Sequence, residues 1–506
     1  FGWHAMRWLL IPSIALLSTG TLLARDVDYL RDVKPLLIEK CSGCHGALKQ
    51  EAELRVDAAT LIRKGGESGP AVVPGSASES LLFKRIATTD SSERMPPEGE
   101  GEPFTPEELA LIRAWIERGT KAPADEPIPT NPRQHWAYQV PIRPTVPKID
   151  DPVWSGNPID AFVAQQHRIA KLKPVHLANK HTMVRRLYID VIGLPPTRQQ
   201  TDDFVRDASP DSHRKLVDEL LNRPQYGERW GRHWMDVWRY SDWSGYKEQL
   251  RGSQRHIWRW RDWIIESLNV DKGYDQFIIE MLAGDEVAPD NFDVLRATGF
   301  LARNYHKSNR NIWLDATVEH TAKAFLGMTI NCARCHDHKF DPISQIEYYA
   351  MRAIFEPHNV RTERVPGQSN LLEDGLPRVF DAEPNAETFL YIRGNEKHFD
   401  KENPVAAAVP AIFGRTIQVE SISLPPVSIF PSLWPHIEKE ETLTAESRVA
   451  AAKKKLEKQR AGHAAETNHE SSSNSVNIAS LELASAVTTL AALRARWAAD
   501  KSKYLG

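Results

Sequence analysis

The chain has 506 residues, of which 41% are hydrophobic and 26% charged, with a net charge of −3. This length fits about two to four packed domains, and the near-neutral balance without a long basic run excludes a nucleic-acid binder. All four cysteines fall in two copies of Cys-x-x-Cys-His, whereas a disulfide-stapled exported protein scatters them.

Residues 1–24 hold Met6-Arg7, a short apolar run from Trp8 to Leu17, and Thr21-Leu22-Leu23-Ala24 before Arg25-Asp26. This pattern predicts a secretory signal cleaved near Ala24, with an uncleaved N-terminal anchor as the alternative. The expected location is the periplasm or the cell surface. No other stretch is expected to reach membrane-span length, so membrane association is expected only through the N-terminus.

Residues 25–120 read as one compact unit. Asp28 to Lys40 places Tyr29, Leu30, Val33, Leu36 and Leu37 at helical spacing. The helix leads into Cys41-Ser42-Gly43-Cys44-His45. Two thiols on one turn can both bond the vinyl groups along one porphyrin edge, and the following imidazole then lies under the iron. Cys41 and Cys44 are thus the attachment points for a covalent haem c, and His45 is the proximal ligand. Arg94-Met95-Pro96-Pro97 offers Met95 as the sixth ligand on a proline-stiffened loop. A buried core methionine is the other reading of Met95. Thr105-Pro106-Glu107-Glu108 is a capped helix start, with an apolar face at Leu109, Ile112, Trp115 and Ile116 and a stop at Gly119.

These residues resemble the planctomycete-type cytochrome c domain. The likeness rests on Val33 to Leu37, Cys41 to Gly46, Ser68-Gly69-Pro70, Val73-Pro74-Gly75, Ser80-Leu81-Leu82, Arg94 to Pro97 and Leu111 to Ile116. It implies one covalent haem with His/Met ligation.

Residues 121–154 are proline-rich and predict an extended linker. Residues 155–360 read as mostly helical, with Trp230, Trp234 and Trp238 four residues apart and Trp243, Trp258, Trp260 and Trp263 following. That spacing marks a buried helical face. A further helical stripe, Asp315 to Leu326, ends near Gly327. It precedes the second motif, Cys332-Ala333-Arg334-Cys335-His336.

For this second copy three readings stand: a second covalent haem on Cys332, Cys335 and His336, a disulfide or redox pair, or another metal site. The histidine directly after the second cysteine favours haem. His320 is the preferred distal ligand; His306, His358 and Met351 are rivals, and an open sixth position is the further alternative.

Residues 155–360 resemble the cytochrome-like large domain, of DUF1549 type, of exported planctomycete proteins. The likeness rests on Leu187 to Asp190 with Gly193 to Pro196, Tyr226 to Trp230, Trp234 to Tyr240, Ala283-Gly284-Asp285, Ala297 to Phe300, Leu326 to Thr329 and Cys332 to Pro342. Members of that family usually continue into a further C-terminal domain. No counterpart is visible before Gly506, so the chain reads as a fragment.

Residues 361–436 suggest short strands or extended pieces around Val379-Phe380, Thr388 to Arg393 and Thr416 to Leu424. Residues 437–506 predict a helical hairpin or coiled coil with a polar bend at Ser471 to Asn474, which offers a coiled-coil contact at 437–503. The fold class is therefore mainly α: a small cytochrome c domain, a larger helical domain, a short β-containing segment and a C-terminal helical hairpin. The leading functional reading is an exported di-haem c-type cytochrome that transfers electrons to and from redox partner proteins. The alternatives are a haem-dependent, peroxidase-like oxidoreductase with an open iron at the second motif, and a redox-sensing surface scaffold.

Overall fold

The computed structural model describes residues 26–504 apart from 152, 155, 242–254, 415, 417, 419, 421 and 464–468. The expected signal segment and Trp243 lie outside the described residues. Helix makes up 54% of the structure and strand 6%, so the chain is mainly α. It divides into two compact units. The first takes in residues up to Val140 with Lys339–Pro342, and the second Pro141–His338 and Ile343 onward.

In the first unit, a π-type turn at Tyr29–Val33 opens into α1 (Lys34–Lys40). Asp28 caps the turn by accepting from the Arg31 amide. Of the apolar residues in this stretch, Tyr29, Val33 and Leu37 are buried, four apart on one face, whereas Leu30 is exposed. They pack with residues of α2 (Ala59–Lys64), α3 (Leu81–Ala87) and α4 (Pro106–Glu117). Tyr29 stacks on Trp115 at 5.3 Å between ring centroids. The α4 start has the predicted capping box, with Thr105 and Glu108 each accepting from the other's backbone N–H.

The second unit begins with a helical layer: α5 (Pro158–Ile169), α6 (Lys180–Ile192), α7 (Arg198–Arg206), α8 (Ser212–Leu221) and α9 (Pro224–Val237). There follow α10 (Trp258–Asn269), α11 (Tyr274–Val287), α12 (Phe292–Leu295), α13 (Gly299–Ala302), α14 (Arg310–Thr321) and α15 (Gln345–Ala353). Of the four-residue stripe only Trp238 is buried, with Trp234 half-buried; Trp260 and Trp263 are also buried and Trp258 is half-buried. Trp234 stacks on Trp238 at 5.0 Å, and Trp238 and Trp263 both meet Phe277. Trp230 differs: it is 39% exposed and its indole N–H donates to the Val191 carbonyl.

Two antiparallel hairpins follow, β1 (His358–Glu363) with β2 (Leu376–Asp381) and β3 (Phe389–Tyr391) with β4 (Phe399–Pro404). In the first, His358 faces Asp381 and Glu363 faces Leu376. A fully buried ion pair, Arg378 to Glu363 at 2.9 Å, staples this hairpin. Arg361 shares the same Glu363 oxygen at 2.7 Å, and Arg378 also donates to the carbonyls of Val379 and Ser428.

The C-terminal hairpin is α16 (Pro435–His463) and α17 (His469–Tyr504). Ion pairs Glu438–Lys501, Glu441–Arg496, Glu446–Arg494 and Lys455–Glu482 fix an antiparallel arrangement, since each step forward on one helix is a step back on the other. Two expectations are corrected here. Ser471 to Asn474 lie inside α17, which begins at His469, rather than in a bend. And α17 does reach membrane-span length: among the described residues, Ser473–Tyr504 is long and apolar enough to cross a membrane by length and composition, its most apolar 18-residue window having a mean hydropathy of 1.5. Ile478, Leu481, Leu483, Val487, Leu490, Leu493 and the alanines supply that hydropathy, while Glu482, Arg494, Arg496 and Lys501 pair to α16.

Breaking the Arg378–Glu363 pair from one side strands a charge in a dry interior. Glu363→Gln is expected to cost about 3–5 kcal/mol in the stability of the second unit, measured by urea unfolding followed by tryptophan fluorescence. Replacing both partners with apolar residues should recover much of that loss.

Candidate functional site

The first Cys-x-x-Cys-His motif begins where α1 ends. Cys41 is the C-terminal cap residue of α1, its amide bonded to the Leu37 carbonyl. The Cys44 and His45 amides both donate to the Cys41 carbonyl, at 3.2 and 2.9 Å. One turn therefore carries both thiols and the imidazole. The chain then folds back on itself. Gly46 donates to Lys49, Glu51 donates to Cys44, and Val56 donates to His45, all through the backbone. Gly46 permits this closure, because a β-carbon there would sit 2.4 Å from the Ser42 carbonyl oxygen.

His45 Nδ1 lies 3.0 Å from the Glu51 carbonyl oxygen. A carbonyl only accepts, so Nδ1 carries the proton and Nε2 keeps its lone pair. That is the tautomer a metal ligand needs, oriented by a backbone acceptor as ligating histidines usually are.

Cys41, His45 and Met95 line one cavity. Its other walls include Leu54, Val56, Leu82 and Ile86, with small residues at Ala52, Gly66, Gly69 and Ala71. Met95 is 36% exposed, and its amide donates to the Arg85 carbonyl in the last turn of α3. One residue earlier, Arg94 Nη1 is buried with no hydrogen-bond partner among the described residues, which suits an anionic acceptor such as a haem carboxylate. Burial pushes the Cys41 thiol up to about 12, with the neighbouring Cys44 adding to the shift. The donor set, the largely apolar cavity and the unpartnered Arg94 Nη1 together fit a covalently held haem c.

The second motif sits on the turn Asn331–Arg334, after α14, a π-type turn at Ala322–Leu326, and Gly327 in left-handed geometry. Its local hydrogen bond matches the first, with the Cys335 amide donating to Cys332 at 3.3 Å. Its surroundings differ. Cys332 and His336 are exposed and Cys335 is half-buried. The Cys335 sulfur packs on Gly394, where a β-carbon would lie 2.5 Å away. His336 Nδ1 is 2.8 Å from the carbonyl of its own neighbour, Asp337.

Beneath the motif lies a polar network that the sequence reading missed. Arg334 pairs with Asp315 at 2.6 Å, and Tyr348 donates to the same carboxylate at 2.9 Å. Arg352 bonds Asn311, Glu356 and Tyr391. Tyr349 and Gln345 both donate to the Arg334 carbonyl. The i, i+3 and i, i+4 spacing of Gln345, Tyr348, Tyr349 and Arg352 on α15 was the available signal.

His320 is buried on α14, and its Nδ1 has no partner among the described residues. Burial first, then the cationic neighbours Arg239, Arg303 and Lys323, lowers its pKa to about 4, so the ring stays neutral. Of its rivals, Met351 is buried on α15, His306 meets the Ser308 hydroxyl, and His358 opens β1, facing Asp381.

No curated protein and no solved structure matches the chain. Residues 41–99 match the family model described as Planctomycete cytochrome C, and residues 158–360 match that described as Protein of unknown function (DUF1549). The chain therefore carries a c-type cytochrome domain of the Planctomycete cytochrome C family, followed by a domain of the DUF1549 family.

Proposed function

We propose that this protein is an exported di-haem c-type cytochrome that transfers electrons. The observation that carries the reading is the single cavity lined by Cys41, His45 and Met95, with the His45 tautomer fixed by Glu51. When bound, haem c supplies one-electron chemistry. The chain's own part is to tether it through Cys41 and Cys44, to aim His45 Nε2, and to hold Met95 in the cavity lining through the Arg85 carbonyl. A thioether in place of a second imidazole raises the reduction potential. The apolar walls at Leu54, Val56, Leu82 and Ile86 exclude water and act in the same direction.

Cys332, Cys335 and His336 hold the second haem in this reading. The shared turn geometry supports it: both motifs close with a hydrogen bond between their cysteines, so each presents two thiols from one turn. The exposure of His336 favours a more open second centre than the first. That leaves a ligand-binding iron, and hence an oxidoreductase, as the second reading.

Met95→Ala should remove the sulfur-to-iron absorption band and lower the potential of the first haem, read by optical spectroscopy and potentiometric titration. Met95→His should restore a low-spin spectrum without restoring the potential. Persistence of the sulfur band in either variant rules Met95 out.

A pyridine haemochrome assay with intact-mass spectrometry should count two haems per chain. The Cys332→Ser/Cys335→Ser variant should lose one and keep the Met95 band. One haem in the unaltered chain would remove the second centre. A high-spin component that shifts on adding cyanide, and that vanishes in the double variant, would select the oxidoreductase reading over simple relay.

A further inference from the structure

The second unit buries a group of polar side chains that the haem reading does not use. Asp285 in the last turn of α11, His358 at the start of β1 and Asp381 at the end of β2 offer ligand atoms that all lie within 4.8 Å of one another. We propose that Asp285, His358 and Asp381 bind a divalent first-row transition-metal cation, independently of either haem motif.

The fold brings these residues together by two devices. His358 and Asp381 are direct partners across the β1–β2 ladder, so their side chains share one face of the hairpin. Helix α11 leaves helical geometry at Ala283, with φ −140° and ψ 23°, and Gly284 and Asp285 follow that break. The site thus joins a helix end to a hairpin end.

What calls for a ligand is the lack of compensation. Asp285 is 2% exposed, and neither of its carboxylate oxygens has a hydrogen-bond partner among the described residues. Asp381 Oδ1 and His358 Nε2 are likewise buried without partners. His358 Nδ1 lies 3.3 Å from the Phe355 carbonyl oxygen. It is therefore the protonated nitrogen, and the lone pair on Nε2 belongs to the cluster.

The nearby cations are committed elsewhere. Arg378 is held by Glu363 and by the Val379 and Ser428 carbonyls. Arg310 is held by Glu356 and the His358 carbonyl. The buried, unpaired Asp285 carboxylate beside the half-buried Asp381 costs several kcal/mol unless something neutralises it. Consistent with that cost, burial and then the Asp381 charge push the Asp285 carboxyl up to about 7 in the metal-free chain. Glu286, half-buried beside the cluster, is raised by burial and by the same two acids.

The donor set selects the ion. One imidazole and two carboxylates suit Zn²⁺, Mn²⁺ or Fe²⁺ better than Mg²⁺ or Ca²⁺, which favour all-oxygen cages, or thiophilic Cu⁺. Metal–ligand distances of about 2.0–2.2 Å put the ligand atoms of a tetrahedral site roughly 3.4 Å apart, so atoms now within 4.8 Å of one another must close on the ion. Three protein ligands leave at least one coordination position for water or an oxygen-bearing ligand.

The test uses the untagged full chain with its haem attached. After dialysis against EDTA and incubation with Zn²⁺ or Mn²⁺, elemental analysis of desalted protein should find one equivalent of that metal per chain. The melting temperature should rise on loading. Asp285→Asn and His358→Gln should each lose that equivalent and the metal-dependent rise. If the chain retains neither metal, or if both variants still bind one equivalent, the site is absent.

The alternative for the same residues is a proton shared between two acids. In that case Asp285→Asn removes a buried charge and stabilises the metal-free chain, with no response to Zn²⁺ or Mn²⁺. Should neither variant fold, X-ray absorption of the Zn²⁺-loaded unaltered chain still decides. One nitrogen and two or more oxygens without sulfur is expected, and sulfur ligation would place the metal at the cysteines and overturn the assignment.

Discussion

The hydrogen bond from His45 Nδ1 to the Glu51 carbonyl organises the first unit. An imidazole has two nitrogens, and it can offer a lone pair at one only when the proton is held at the other. A side-chain acceptor could rotate away, whereas a backbone carbonyl in a closed loop cannot. The loop closes because Gly46 lets the chain pass the Ser42 carbonyl and because Glu51 and Val56 return hydrogen bonds to Cys44 and His45. Ligand orientation is thus set by main-chain geometry, and α1 and α4 fix that geometry through their shared apolar core. The same logic recurs at His336, whose Nδ1 meets the Asp337 carbonyl, and at His358, whose Nδ1 meets that of Phe355.

The two Cys-x-x-Cys-His turns show what the motif determines and what it leaves to context. Five residues determine a turn with two thiols on one side. They do not determine a cavity. At Cys41 the walls come from residues 52–95, most of them apolar or small. At Cys332 the adjoining structure is charged: Asp315, Arg334 and Arg352 interlock with Tyr348, Tyr349 and Tyr391. Such a network holds the turn rigidly from below while the exposed Cys332 and His336 face outward. The same five residues therefore sit in a different dielectric, and potentials and ligand access follow the dielectric more than the motif.

Much of the first unit was legible in the sequence because its signals are local. The Thr105 capping box, the left-handed Gly119 after α4 and the four-residue spacing of Tyr29, Val33 and Leu37 each span a few residues. The tryptophan stripe was legible only in part: Trp238 is buried, Trp234 half-buried and Trp230 exposed. What escaped were features made by distant pairings. Strand β1 begins inside the stretch read as helical, because His358-Asn359-Val360-Arg361-Thr362-Glu363 lacks clean alternation and gains its strand character from β2. Strand β4, Phe399–Pro404, has three charged residues in succession at Asp400, Lys401 and Glu402 and pairs with β3. The polar bend at Ser471 to Asn474 was misplaced since serine tolerates a helix when neighbouring turns carry it. Asp285, His358 and Asp381 come from three separate elements, and no spacing rule links them.

The second unit handles its other buried charges within the chain, which gives that trio its weight. Arg378 and Glu363 are both fully buried and neutralise each other. Arg352 is answered by Asp315 and Glu356, and Lys272 by Glu280. In each case the charge that entered the interior came with a partner of opposite sign. A fold that repeatedly meets this condition does not leave two carboxylates and an imidazole facing one another by default, because the low dielectric that strengthens a matched pair penalises an unmatched one. The balance at Asp285 and Asp381 requires positive charge. Since Arg378 and Arg310 are already bound elsewhere, that charge is most economically a cation held by the three side chains themselves.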